Sequence, residues 1–254
     1  MNGHLNFGYP WWLSYGHLAI ALPAVWLLLV GWGRKWPKAL MAVIGVTTLW
    51  SLAAFVVVRF VIDINGQPSL PTQSFLSSGR GRVLDLGAGT GRSSIMVLTS
   101  RPQVKLVALD LFGNSFDEHF GKGESPQQRL LTNLKIAGVD QRAEIQTADM
   151  RKLPFEANSF DAIVSAYAMD HLGRDGAIQS LAEASRVLKP GGEFLLMVVG
   201  KEPWLEFTFG PLLVHSASRG AAWWTEHVQQ ANFQVIEQGT RPITFYLLAR
   251  RNQS

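Results

Sequence analysis

The sequence predicts an α/β protein whose doubly wound, mostly parallel sheet follows a transmembrane helical hairpin. Short β-rich runs alternate with helical patterns after residue 80, and short connections join them. This alternation is typical of parallel strands with helices packed on both faces of the sheet. Two long apolar runs before residue 62 predict the hairpin.

The two apolar runs are long enough to cross a membrane as helices. Residues 13–33 carry no formal charge, and neither do residues 39–58, which Arg59 and three further apolar residues continue. A helix rises about 1.5 Å per residue and the hydrocarbon core is about 30 Å thick, so about 20 residues span it. We therefore expect helices at about 13–33 and 39–62, with a kink at Pro23.

The ends of the two runs favour a hairpin in the bilayer. Residues 34–38 form a short turn with three basic side chains, and tryptophans cluster near the run ends, where they favour the membrane interface. Two buried core helices, or a hairpin within one leaflet, are the alternatives. A cleaved signal peptide is disfavoured because residues 1–12 contain no Lys or Arg.

A domain boundary is predicted at residues 63–80, which are rich in Pro, Gly, Ser and Asn and lack an apolar period. The hairpin then comprises residues 1–62, and the α/β domain comprises residues 81–254. Residues 1–78 hold four basic residues and one acidic residue, which leaves 19 basic and 18 acidic residues for the rest. The domain is therefore close to neutral and lacks the basic stripe that a nucleic-acid partner requires. Because the chain has no cysteine, disulfides, thiolate metal sites and a cysteine nucleophile are excluded.

The first half of the domain predicts two strands and two helices. A strand at 82–86 is a short apolar run that ends at the glycine-rich loop 87–91, and the helix 93–100 follows that loop. Residues 104–109 form the second strand. Leucines recur at helical spacing over 127–137, which predicts the second helix.

The second half continues the alternation. Strands are expected at 143–147, 162–165 and 194–199, and a helix is expected at 178–187. The sequence Lys-Pro-Gly-Gly at 189–192 predicts a turn that leads out of that helix.

The domain ends with two strand-like runs, 233–238 and 245–250, which few residues separate. We expect them to pair antiparallel. Ligands of such sheets bind beyond the carboxyl ends of the strands, which is where the loop 87–91 lies.

The loop 87–91 reads Gly-Ala-Gly-Thr-Gly and is followed by Arg92. A dinucleotide-binding fingerprint requires a third glycine where Arg92 stands, so the match to that class is incomplete. By itself the loop is also compatible with a tight strand-to-helix turn. Three acids accompany it: Asp85 can orient the loop, Asp110 can accept two ribose hydroxyls, and Asp149 can accept the amino proton of an adenine.

Four segments resemble, in order and spacing, the motifs of the class I S-adenosylmethionine-dependent methyltransferases. They are VLDLGAGTGR (83–92), LVALD (106–110), TADMRKLPFEANSFDAIVS (147–165) and RVLKPGG (186–192). The resemblance covers roughly residues 80–200 and implies a Rossmann-like methyltransferase fold with S-adenosyl-L-methionine as cofactor. The third segment is most similar to the branch that methylates quinones, sterols and other small hydrophobic acceptors.

The resemblance also implies which residues bind the cofactor. The three glycines of the loop would face the methionine part, Asp110 the ribose, and Asp149 with Met150 the adenine. The expected cofactor-binding residues are Asp85, Gly87, Ala88, Gly89, Gly91, Asp110, Leu111, Asp149, Met150 and Ala166.

Acceptor chemistry is expected after the fourth strand, at Tyr167, Asp170 and His171. His171 is the candidate general base because imidazole takes a proton near neutral pH, and Asp170 would tune it. The alternative is that His171 caps a helix or shapes the cofactor pocket. After the fifth strand, residues 204–224 are strongly aromatic, which is compatible with core packing, an acceptor pocket or a surface on the bilayer.

Residues 111–126 are longer than the turn that this family usually has there, and we interpret them as a lid or a membrane contact. They contain Asp117, Glu118 and His119, but three adjacent side chains cannot all face one ion, so no metal is expected.

These patterns together predict a membrane-anchored methyltransferase that acts on a small, lipophilic or membrane-delivered acceptor. A non-catalytic, membrane-linked domain for S-adenosylmethionine binding or interaction is the alternative. An oxidoreductase is disfavoured by Arg92. The cofactor is made in the cytosol, so we expect a cytoplasmic catalytic domain, although the basic turn 34–38 would itself prefer the cytoplasm.

Overall fold

The computed structural model describes residues 4–64, 66–112, 125–200, 208 and 219–253. The helices are α1 (Trp11–Gly33), α2 (Lys38–Val56), α3 (Arg92–Ser100), α4 (Pro126–Ile136), α5 (Arg174–Val187) and α6 (Ala221–Gln230). The strands are β1 (Arg80–Leu86), β2 (Gln103–Asp110), β3 (Ala143–Thr147), β4 (Phe160–Ala166), β5 (Leu188–Val199), β6 (Phe233–Arg241) and β7 (Thr244–Arg251).

The first two helices form an antiparallel hairpin. A π-helical stretch, Val57–Ile62, extends α2 to the end of the predicted second helix, and α1 begins at Trp11, directly after Pro10. Small buried side chains on both helices allow their backbones to approach closely, and ring contacts such as that of His17 with Trp50 also join them. The buried small residues are Ser14, Ala21, Ala24, Gly31, Thr48, Ser51 and Ala54.

The sheet has the strand order β3-β2-β1-β4-β5-β7-β6. The first five of these strands are parallel, and β7 runs antiparallel to both β5 and β6. The predicted doubly wound, mostly parallel sheet is confirmed. Its carboxyl edge therefore gathers the ends of β1, β2 and β4 beside one another.

The fifth strand begins earlier than predicted. Lys189–Gly192 lie within β5 rather than in a free turn, because Leu188 already pairs with Phe160 of β4 and Glu193 then pairs with Ala162. The intervening residues are accommodated as an irregularity in the register, with Gly191 at φ +74°.

Two apolar layers cover the sheet. One layer lies under α3 and α4 and includes Phe7, Ile95 and Leu130, and the other lies under α5 and α6 and includes Leu181 and Trp224. All five of these side chains are at most 1% exposed. Full burial of such a side chain stabilises the fold by about 1.5–3 kcal/mol.

The predicted linker is packed against the domain rather than suspended from it. The described residues between 63 and 79 form neither helix nor strand, yet Leu70, Phe75 and Leu76 are buried in the first apolar layer. Arg101 donates from Nε to the Phe75 carbonyl oxygen (2.9 Å) and from Nη2 to the Gln73 carbonyl oxygen (2.7 Å). The segment therefore holds the end of the hairpin in a defined place.

Candidate functional site

The glycine loop follows β1 at the carboxyl edge of the sheet, and its three glycines are in the left-handed region. Their φ angles are +81° at Gly87, +52° at Gly89 and +92° at Gly91. An L-residue in this region costs roughly 1–2 kcal/mol. A Cβ on Gly87 would also lie 2.1 Å from the Cβ of Ala168, so the loop packs directly against the turn after β4.

Backbone hydrogen bonds hold the loop over the end of β2. The N–H groups of Gly87 and Ala88 both donate to the Leu109 carbonyl oxygen, at 2.8 and 3.0 Å. Gly91 donates to the Ala88 carbonyl oxygen (2.8 Å) and is the residue that precedes α3. The loop is therefore shaped by its own backbone hydrogen bonds, and the side chains of Ala168 and Met150 lie against Gly87.

Asp110 ends β2 and joins the loop to the chain beyond that strand. Its Oδ2 accepts from the Gly89 N–H and its Oδ1 from the Phe112 N–H, both at 2.9 Å. A carboxylate offers about four lone-pair sites, so two remain for a ligand. Leu111, the next residue, is 55% exposed.

Asp85 lies under the loop and is fully buried. Its Oδ2 accepts from the hydroxyls of Ser93 (2.7 Å) and Ser94 (2.6 Å), while its Oδ1 has no hydrogen-bond partner among the described residues. Burial raises the pKa of Asp85 to about 7, although the two serine hydroxyls act in the opposite direction. An unpaired buried oxygen of this kind is costly unless a proton or a ligand donor satisfies it.

The third predicted acid is already engaged. Asp149 accepts from Arg151, at 2.9 Å from Nε to Oδ1 and at 2.6 Å from Nη2 to Oδ2. These hydrogen bonds lower the pKa of Asp149. Met150 lies beside the loop, since its Cε is 3.1 Å from the position of a Cβ on Gly87. Nothing in the sequence pattern pointed to Arg151 as the partner of Asp149.

The turn after β4 carries the candidate catalytic residues. Ala166 ends β4, and Tyr167 follows with a left-handed backbone at φ +54°. The Tyr167 hydroxyl pairs with Oγ1 of Thr244, and its N–H donates to the Met197 carbonyl oxygen at 2.8 Å. Burial raises the pKa of the Tyr167 hydroxyl. Tyr167 therefore faces β5 and β7 rather than solvent.

Asp170 and His171 have different environments in one short 3₁₀ turn, Met169–His171. Asp170 is mostly buried, and its Oδ2 accepts from the Val199 N–H at 3.3 Å. Burial raises the pKa of Asp170, while the nearby His171 and Arg219 lower it. His171 is exposed at the surface of the turn. Its role as a general base stays a prediction.

Several predictions fall on residues that the structure does not describe. These include Asp117, Glu118 and His119 and most of the aromatic stretch from 204 to 218. The last two residues of the predicted aromatic stretch 204–224, Trp223 and Trp224, lie in α6. Trp224 is fully buried, and Trp223 stacks on His227 at 3.9 Å between ring centroids. The described residues contain no group of three or more His, Asp or Glu side chains that could hold a metal ion.

Sequence reasoning missed one contributor to the loop, the chain ahead of α1. Phe7 is completely buried in the same apolar layer as Ile95 of α3, and its carbonyl oxygen accepts from the Thr90 hydroxyl at 3.1 Å. No periodicity or motif links residues 4–9 to the loop, so no signal in the sequence could have revealed this contact.

This sheet, its glycine loop and the acid at the end of β2 make the α/β part of the chain a class I S-adenosylmethionine-dependent methyltransferase domain. Residues 83–192 match the family model described as a methyltransferase domain.

Known proteins with similar sequences are ubiquinone/menaquinone biosynthesis C-methyltransferases. The one from Desulfotalea psychrophila is 33% identical over 134 residues, which cover 53% of this chain and 44% of that protein. The one from Bartonella tribocorum is 34% identical over 128 residues, which cover 49% of this chain and 44% of that protein. The chain thus matches less than half the length of each relative.

Solved structures share the fold at low sequence identity. An O-methyltransferase family protein from Burkholderia thailandensis has a TM-score of 0.58 and 16% identity, covering 82% of this chain and 59% of that chain. The PH0226 protein from Pyrococcus horikoshii has a TM-score of 0.54 and 18% identity, covering 71% and 85%.

The site fits S-adenosylmethionine, the cofactor of this class. The glycine backbone permits close approach of a ligand, and Asp110 retains free lone pairs for ribose hydroxyls.

Proposed function

We propose that this chain is a membrane-anchored methyltransferase that moves a methyl group from S-adenosylmethionine to a small, lipophilic acceptor. The observation that carries the proposal is the Asp110 carboxylate, which holds the glycine loop through Gly89 and keeps two lone-pair sites for a ribose.

Methyl transfer requires alignment more than acid–base strength. The cofactor, when bound, supplies a methyl carbon activated by its sulfonium sulfur. The loop, Asp110 and Met150 hold the donor, and the turn after β4 faces the acceptor. Holding the two reactants in this way raises the rate by proximity and orientation. Exposed His171 is the group we assign to remove the acceptor proton, and Asp170 behind it stabilises the imidazolium that results.

A quinone-like acceptor is the best supported substrate class. The relatives with 33–34% identity are named for ubiquinone and menaquinone biosynthesis. The segment from 147 to 165 also resembles the branch that acts on small hydrophobic acceptors. A redox-active ring with a long apolar tail resides in a bilayer, so an anchored enzyme would meet it at high local concentration.

The outer surface of the hairpin supports a bilayer location. Trp11–Gly33 and Lys38–Ile62 are long and apolar enough to cross a membrane. Large apolar side chains on them face outward, with exposed fractions of 66% at Leu22, 68% at Leu29 and 70% at Leu49. Helices of a soluble core would bury these side chains, so the exposure favours contact with lipid.

The acceptor side of the domain also meets the hairpin. Thr208, which follows β5, is buried, and its carbonyl oxygen lies 2.8 Å from Nε2 of His17 in α1. The ring of His17 lies edge-on to Trp50 of α2, with 5.6 Å between centroids. A lipophilic acceptor arriving along the hairpin would therefore reach the domain at Thr208.

Both ends of the hairpin contact the domain, so the basic turn 34–38 lies at the far end of the helices. We assign the domain to the cytoplasmic side, where the cofactor is made. Protease digestion of sealed inside-out and right-side-out vesicles tests this orientation. Digestion of the domain only from the non-cytosolic face would refute it.

Asp110→Asn tests the activity. The substitution replaces one acceptor oxygen by an amide nitrogen that must face an N–H group, and it removes the charge that would hold the ribose. Loss of two charge-assisted hydrogen bonds is worth about 3–6 kcal/mol, so we expect donor affinity to fall about 100-fold or more.

The matched control is Asp161→Asn. Asp161 also accepts a backbone N–H, from Arg82 at 2.7 Å, and pairs with Lys189 at 2.6 Å, but it lies at the opposite end of β4. The readout is transfer of labelled methyl groups from S-adenosylmethionine into membrane extracts. Donor binding without any transfer by the unmodified chain would instead identify a non-catalytic binding domain.

A further inference from the structure

Three side chains at the glycine loop hold both ends of the hairpin, and we call them the clasp: Thr90, Arg92 and Asn133. Thr90 and Arg92 flank Gly91 in the loop, and Asn133 reaches the loop from α4. None of the three was a candidate site residue in the sequence.

Thr90 and Asn133 hold the end of the hairpin that precedes α1. Asn133, which is 1% exposed, donates from Nδ2 to the carbonyl oxygens of Asn6 (2.8 Å) and Thr90 (2.9 Å), and its Oδ1 accepts from the Asn6 N–H (2.9 Å). The Thr90 hydroxyl donates to the carbonyl oxygen of buried Phe7. The chain ahead of α1 is thereby joined to the loop by side-chain and backbone hydrogen bonds.

Arg92 holds the other end of the hairpin. Its Nη1 donates to the carbonyl oxygen of Ile64 and, at 3.2 Å, to that of Gly66. Its guanidinium also lies over the ring of Phe7, 5.1 Å from the centroid, so it joins the two ends to each other. A cation in the first turn of α3 opposes the helix dipole, and these three contacts offset that cost.

We infer that the seated hairpin is a structural part of the methyl-donor site, and that Thr90, Arg92 and Asn133 are positioning residues that transmit its presence to the loop. This inference rests on the proposed function, because the donor is its ligand. The physical reason is that the residues on both sides of left-handed Gly91 are fixed by contacts to the hairpin ends. Without those contacts, donor binding would have to order the loop, and the conformational entropy lost in doing so would weaken the donor affinity.

Binding measurements on the full chain in detergent micelles test the inference. The variants are Arg92→Met and Asn133→Ala, and the ligand is S-adenosylmethionine, titrated calorimetrically. We expect each variant to bind about tenfold more weakly, within the range usual for coupled sites. The effect should be on donor affinity and not on turnover at saturating donor.

Arg101→Met is the matched control. Arg101 also holds carbonyl oxygens of the segment before β1, at Gln73 and Phe75, but it lies at the opposite end of α3 from the loop. It should lower the melting temperature and leave the donor dissociation constant within about twofold, since it does not contact the loop. Equal dissociation constants in all three variants would overturn the inference and leave the hairpin as a simple tether.

Coupling between two sites is reciprocal, so the donor must in turn stabilise the hairpin ends. Hydrogen exchange of the unmodified chain supplies this second measurement. Addition of S-adenosylmethionine should slow exchange at residues 4–10, and Arg92→Met should abolish that protection. Donor binding with unchanged exchange at 4–10 would refute the coupling alone, whereas absence of donor binding in the unmodified chain would refute the proposed function as well.

Discussion

Asp85→Asn should change how the stability of the protein depends on pH. Asp85 is fully buried beneath the loop, and burial raises its pKa from the ordinary 3.8 to about 7. The folded chain therefore keeps the proton of Asp85 at pH values where the unfolded chain releases it. Each unit of pKa difference corresponds to about 1.4 kcal/mol.

The sign follows from proton binding. Below pH 3.8 both states are protonated, and the full stabilising contribution is present. Between pH 3.8 and 7 only the folded state holds the proton, so stability falls as pH rises, by about 4 kcal/mol over the whole window. Above pH 7 the contribution is lost and the curve levels off.

Thermal unfolding at pH 5 and pH 7.5 measures the effect. The unmodified chain should lose about 3 kcal/mol over this interval, which corresponds to roughly 6–12 °C in melting temperature for a domain of this size. The loss of stability between the two pH values should be about 3 kcal/mol smaller in Asp85→Asn than in the unmodified chain, because asparagine does not titrate. Asp170, whose pKa is also raised, contributes equally to both proteins. Identical slopes in the two proteins would refute the reasoning.

Two further substitutions test the loop and the acceptor side. Gly87→Ala should destabilise the fold by about 2–5 kcal/mol, because left-handed strain adds to the overlap with Ala168. Gly138→Ala, at φ +68° with no atom within 4 Å, should cost only about 1–2 kcal/mol. Thermal melts that rank the two variants equally would contradict the close packing of the loop. His171→Ala should lower turnover about 10²–10⁴-fold with unchanged donor affinity, and His227→Ala, on α6, should leave turnover intact; full activity of the first variant would exclude His171 as the base.

The parallel sheet and its loop could be predicted because local sequence determines them. The buried run Val83–Leu86 favours a strand, and the glycines after it favour a tight turn. Gly87 and Gly91 have positive φ angles, which only glycine adopts without strain. The position of Asp110 at the carboxyl edge of the sheet was predictable for the same reason, because the apolar run before it marks the strand that it ends.

Other features depend on contacts between distant parts of the chain. Phe75 lies in a Pro- and Ser-rich segment that signals a linker, yet it is completely buried, because an irregular segment can bury an apolar side chain without any periodicity. The pairing of Asp149 with Arg151 is local, but it depends on the side-chain conformations that the two residues adopt. The hydrogen bonds between Asn133 and Asn6 join distant parts of the chain. Residues 127 positions apart carry no shared pattern in one sequence.

The clasp and the helix–helix seam hold residues 4–33 to the protein independently of the chain that follows them. Cleavage of the peptide backbone within the exposed turn at Arg34 and Lys35 should therefore leave two polypeptides that copurify and still bind the donor. Equally, the two pieces expressed from separate reading frames should assemble into a functional protein. The first 33 residues would then be a separate subunit of one protein, held by non-covalent contacts alone.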